Sequence, residues 1–100
     1  MRLSEEYRTT IKEVLRKHFG EGSKFYLFGS RVDDTKRGGD IDLYIETDFE
    51  DFDRAWKAKG KSWVEMQDRL GEQKIDILMH VKGREYTAFE ELIKDEVVEL

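Results

Sequence analysis

The chain has no cysteine and no proline among its 100 residues. Without thiols there is neither a disulfide nor a zinc-thiolate site to staple a small fold, so apolar burial must hold it. Without proline, glycine is left to punctuate the elements. No run of apolar residues approaches the length of a membrane span, and the N-terminus carries no secretory core, so the expected location is cytoplasmic, with no membrane contact. A basic surplus is missing too: 23 acids stand against 18 Lys and Arg, a formal charge of −5. Proteins held mainly by phosphates need a basic surface, so direct binding to nucleic acid is not expected. At this length the chain makes a single domain, residues 1–100, because two halves would each be too small to bury a useful core.

What is present is patterned. Charged residues make up 41% of the chain, yet the apolar ones recur at regular spacing, which reads as a charged surface around a real core. Leu3, Tyr7, Ile11, Val14, Leu15 and then His18 or Phe19 fall at helical spacing, with Ser4 as N-cap, Glu5 and Glu6 in the first turn and a stop at Gly20 or Gly22. Lys24 to Phe28 reads as an interior strand covered on both faces, and Ile41 to Ile45 as a second. Residues 31–39 read as a polar loop after a short helical turn from Ser30.

Phe49, Phe52 and Trp56, then Trp63, Met66 and Leu70, give a helical pattern interrupted at Gly60. Ser62 and Glu65 fit a capping box, so two helical pieces are expected, with both tryptophans in the core. Lys74 to His80 is a third strand. Tyr86, Phe89, Leu92, Ile93 and Val97 return to helical spacing, although Val97-Val98 equally suits a short edge strand. Strands alternating with helical segments make an α/β or α+β domain, helices packed on a small sheet.

Aspartates interrupt two of these strands. Asp40 and Asp42 share one strand face while Ile41 and Leu43 take the other, with Cα atoms roughly 6–7 Å apart. Asp76 sits among apolar neighbours on the third strand. Carboxylates in such settings are costly and repel one another unless a cation joins them. Oxygen ligands without a histidine or cysteine motif favour Mg²⁺, or Mn²⁺, over zinc. Magnesium usually keeps positions open for substrate phosphates, so a nucleoside triphosphate is the expected second component. Gly29-Ser30, after the first strand, suits it: glycine lets the backbone turn and approach closely, and free N–H groups with the serine hydroxyl attract an anion.

Gly29-Ser30, nine intervening residues, Asp40-Ile41-Asp42-Leu43 and later Lys74-Ile75-Asp76-Ile77 together resemble the nucleotidyltransferase superfamily that includes the polymerase β-like enzymes. The length and the Gly-Ser-Arg and Asp-Ile-Asp-Leu runs are most similar to the minimal nucleotidyltransferases, MNT-domain antitoxins encoded beside HEPN-domain toxins in type VII-like pairs. The likeness covers nearly the whole chain and departs at Gly39, where many relatives have serine. It implies the nucleotidyltransferase fold, a central mixed sheet flanked by helices, and transfer of a nucleoside monophosphate from a Mg²⁺-bound triphosphate to a hydroxyl. By the same resemblance Asp40 and Asp42 hold two metal ions and Asp76 completes the second metal site and assists deprotonation of the acceptor. Gly29 and Ser30 seat the triphosphate, ATP in this family. The implied acceptor is a tyrosine of a HEPN ribonuclease, silenced by AMP. Two other readings stay open: an antitoxin that inhibits by binding alone, and an enzyme acting on a small hydroxyl compound, for which the chain has little room.

Arg31, next to the phosphate turn, is either a triphosphate contact or a surface arginine, and Lys36 and Arg37 read first as solvated. Tyr44 lies on the aspartate face but suits packing under a helix. His18 and His80 lack metal-ligand spacing and read as structural or surface residues. Homo-oligomers and hetero-oligomers are both compatible with the sequence.

Overall fold

In a computed structural model that describes residues 3–29 and 40–100, the first helix, α1, spans Glu5–Phe19. Ser4 caps it as expected, its hydroxyl accepting the Tyr7 amide at 3.1 Å, and Gly20 ends it at a φ of 85° that favours glycine. Two strands follow, β1 at Lys24–Phe28 and β2 at Ile41–Thr47. Then come α2 at Phe52–Leu70, β3 at Ile75–Val81, α3 at Ala88–Ile93 and a short β4 at Val98–Glu99.

The sheet order is β3-β2-β1-β4. β1 runs antiparallel to β2 and β4, whereas β2 and β3 are parallel. This is the mixed sheet of an α+β domain, with α2 as the crossover between the parallel pair. Register divides the sheet into two faces. Leu27, Leu43 and Ile77 form one row across three strands, and Phe25, Ile45 and Met79 form the next. These side chains meet Ile11, Val14 and Leu15 of α1 and Met66 of α2 in the hydrophobic core, where apolar burial supplies most of the driving force.

Two expectations fail here. β1 lies inside the sheet but is not covered on both faces: Phe25 and Leu27 are buried while Tyr26 and Phe28 are only partly so. The second face of the sheet carries Tyr26, Asp42, Tyr44, Asp76 and His80, and among the described residues the short α3 packs against it through Phe89 and Glu90. The segment around Gly60 is not two helices either. α2 is one helix of 19 residues, capped by Asp51, whose carboxylate accepts the Asp53 amide at 2.9 Å.

Ser62 is fully buried in mid-helix and caps nothing. Among the described residues its hydroxyl has no hydrogen-bond partner. The core-facing side of α2 is made of Ala55, Ala58, Ser62 and Met66, small residues that let the helix lie close to its neighbours. Trp56 and Trp63, expected in the core, are 56% and 43% exposed on another side of the same helix. Large aromatics mark a stripe on α2, but close packing reserves the inner stripe for small side chains.

Glu65, in place of a capping role, bridges the helices. Lys17 and His18 each approach its Oε1 at 2.9 Å, and their hydrogen bonds hold its carboxyl down at about 2. Arg69 donates to Glu13 at 2.8 Å one turn further on. No helix among the described residues is long and apolar enough to cross a membrane.

Candidate active site

The second face of the sheet carries its chemistry in rows. In the row nearest the start of β2, Phe28, Asp42 and Asp76 are register partners on three adjacent strands. Because β2 and β3 run parallel in matching register, Asp40-Ile41-Asp42 lies alongside Lys74-Ile75-Asp76. The Ile41 amide donates to the Lys74 carbonyl at 3.0 Å, which sets Lys74 beside Asp40 one step before Asp76 meets Asp42. Lys74 Nζ stands 3.3 Å from Asp40 Oδ2.

The electrostatics follow from this placement. Burial pushes the Asp42 carboxyl up, and the negative charges of Asp76 and then Asp40 push it further, with Lys74 opposing. Lys74 is raised in turn, by its hydrogen bond and attraction to Asp40 and then by Asp76 and Asp42. Asp42 therefore feels both other aspartates, and the lysine ammonium stands against Asp40. The donor set suits a hard divalent ion. Among the described residues no three acid or histidine side chains are gathered closely enough to enclose an ion as they stand.

Gly29 belongs to the same place. It follows β1 with a φ of 78°, and a Cβ added there would run into the Asp42 carboxylate. Both the backbone angle and the close approach require glycine, so the turn brings its backbone against the acid row. Ser30, Arg31, Lys36, Arg37 and Gly39, with the loop expected at residues 31–39, lie outside the described residues.

Lys74 is the residue that reading strand by strand missed. Its signal was the repeat of spacing between Asp-Ile-Asp and Lys-Ile-Asp, which pairs the two strands directly if they are parallel and in register.

The other end of the same face is organised differently. Tyr44 donates to Glu90 Oε2 at 2.8 Å, and His80 Nδ1 meets the same oxygen at 2.8 Å, with the His80 and Glu90 side chains only 8% and 5% exposed. The Tyr86 ring stacks on His80 with centroids 4.0 Å apart. Burial works to raise the Glu90 carboxyl. Bonds from Thr87 and Tyr44 and the charge of His80 outweigh it and hold the group below its usual range. Tyr44 is thus pinned under α3 as expected, its phenol pushed up first by burial and then by its bond to Glu90. His80 is structural, as expected. The true capping box is Thr87 with Glu90, whose reciprocal bonds are 3.1 and 3.0 Å.

Residues 9–99 match the family described as Polymerase beta, Nucleotidyltransferase. No curated protein matches the chain.

Proposed function

The chain belongs to the polymerase beta nucleotidyltransferase family, and from that premise we propose that it transfers AMP from ATP to a tyrosine hydroxyl of a HEPN-domain ribonuclease toxin, so acting as the antitoxin of a type VII-like pair. Family membership supports nucleotidyl transfer. The observation that carries the catalytic reading is the row Asp42–Asp76 with Gly29 packed against it. The toxin and its tyrosine rest on the likeness of the Gly-Ser-Arg and Asp-Ile-Asp-Leu runs to the minimal nucleotidyltransferases.

Asp40 and Asp42 would hold two Mg²⁺, or Mn²⁺, with Asp76 as the further ligand of the second. When bound there, such ions draw charge from the triphosphate and from the attacking oxygen. Gly29 offers the backbone approach for the phosphates, with Ser30 and Arg31 following it in sequence. The acceptor oxygen forms a bond to the α-phosphorus as the bond from that phosphorus to the pyrophosphate oxygen breaks, and pyrophosphate leaves. Asp76 is exposed on the outermost strand, open to an approaching hydroxyl whose proton it takes. Lys74, now 3.3 Å from Asp40, would be a cationic side chain at hand for the triphosphate if a divalent ion held that carboxylate.

The test is incubation of the chain with a purified HEPN toxin, ATP labelled at the α-phosphate and Mg²⁺, followed by intact-mass measurement of the toxin. Added AMP units that depend on Asp42 and Asp76 support the proposal. A well-folded chain that leaves the toxin unmodified sinks it. Lys74 holding Asp40 favours one second reading, inhibition by binding alone. In that case Asp76→Ala would neutralise the toxin as well as the parent does.

A further inference from the structure

We infer that the outer stripe of α2 is a docking groove for an amphipathic helix of a partner protein. Phe52, Trp56, Trp63 and Val64 are all exposed, at a spacing that lines them along one side of the helix for about 18 Å. Trp56, Gly60, Trp63 and Val64 form one wall of a groove of about 490 Å³, and Ile75, Asp76 and Ile77 of β3 form the other.

Gly60 is the informative residue. A glycine inside a helix costs roughly 0.5–1 kcal/mol relative to alanine, and a Cβ added at Gly60 would meet nothing within 4 Å. Among the described residues nothing fills that space. The missing side chain deepens the groove midway along the aromatic stripe, where an outside backbone could approach.

The occupant follows from three observations. β3 is an outer strand of the sheet and would attract an extended peptide, but the Trp63 indole already donates to the Ile75 carbonyl at 3.1 Å, which closes the start of that edge. The apolar surface of the stripe comes to roughly 400 Å², judging from ordinary aromatic areas. Two such convex stripes apposed would leave the β3 wall of each groove uncovered, so a second copy fits poorly. A helix seated between α2 and β3 touches both walls. Lys59, over the Trp56 ring at 4.8 Å, suits an acidic flank on that helix. Asp76 is part of the groove's lining, so a partner docked there lies beside the candidate site, although the inference does not depend on transfer taking place.

The test uses the ¹⁵N-labelled chain, without nucleotide or metal, so its failure leaves the transferase reading untouched. The probe is a stapled peptide of about five helical turns with Leu and Phe at i, i+3, i+4 and i+7 and Glu elsewhere. Controls are a scrambled peptide of the same composition and an unstapled version interrupted by proline. Saturable shifts of the two tryptophan indole N–H signals with the helical peptide alone are expected. Gly60→Gln should weaken binding by at least about tenfold, while its melting temperature stays level or rises. The inference is overturned if the helical peptide does not bind, if either control binds as well, or if Gly60→Gln binds undiminished. Self-association of the parent that Gly60→Gln abolishes would also overturn it, by assigning the stripe to a second copy.

Discussion

One face of one sheet carries carboxylates in two opposite conditions. At the Asp42 end, burial and two neighbouring acids push the carboxyl up and a single lysine resists. At the Glu90 end, a more deeply buried carboxylate collects a backbone amide, a phenol hydroxyl and an imidazole and is held below its usual range. The contrast separates two uses of a buried acid. Glu90 is well partnered and fastens α3 to the sheet, whereas the burial and neighbouring acids that act on Asp42 are opposed, among the described residues, by Lys74 alone, a setting that a cation and a substrate would relieve.

Changing each end should break the contrast differently. The largest effect is expected from Asp42→Asn: nucleotidyl transfer falls by about 10³-fold or more, equivalent to roughly 4 kcal/mol of barrier. The metal-free variant should nevertheless be more stable by about 1 kcal/mol in urea titration, because a repelling charge has gone. At the other end Glu90→Ala should cost about 3 kcal/mol, since His80 and Tyr44 lose their shared partner and α3 its capping box. Chemical denaturation would measure it, and a loss below about 1 kcal/mol would show that the buried cluster contributes little. Gly29→Ala should cost about 2 kcal/mol through its backbone angle and its collision with Asp42, and should lower transfer as well.

The smallest effects are in the pH dependence. A raised carboxyl favours folding on protonation, so the metal-free chain should gain stability as pH falls through the elevated Asp42 value toward 3.8, its ordinary one. Glu65 works in the opposite sense. Its contribution is present above 4.5 and is lost as pH falls toward about 2. Comparing urea midpoints across this range for the parent, Asp42→Asn and Glu65→Gln should show the first limb missing in one variant and the second in the other.

Much of this was legible in the sequence because the signals were local. Ser4 and Gly20 bound α1 at the residues expected, and the alternation of Asp40, Ile41, Asp42 and Leu43 assigned each to its face. The aspartates drew notice too, as acids amid strand apolars, and the register sets Asp42 beside Asp76. What failed depended on context that a short pattern does not carry. Ser62-x-x-Glu65 and Thr87-x-x-Glu90 spell equally good capping boxes, yet only the second follows a real break in the chain. Nothing ends the helix at Gly60, so Ser62 turns inward. The tryptophans misled for a related reason: periodicity finds a stripe, but the crowding against α1 and the sheet decides which stripe is inside. Lys74 was hidden because its role arises from the register between two strands.

The central claim is that the acid row is a metal-dependent nucleotide site, and calorimetric titration of the chain with ATP in the presence and absence of Mg²⁺ tests it most directly. The account predicts binding that requires Mg²⁺ and weakens by at least about tenfold in both Asp42→Asn and Asp76→Asn. Binding of equal strength without Mg²⁺, or in either folded variant, would contradict it.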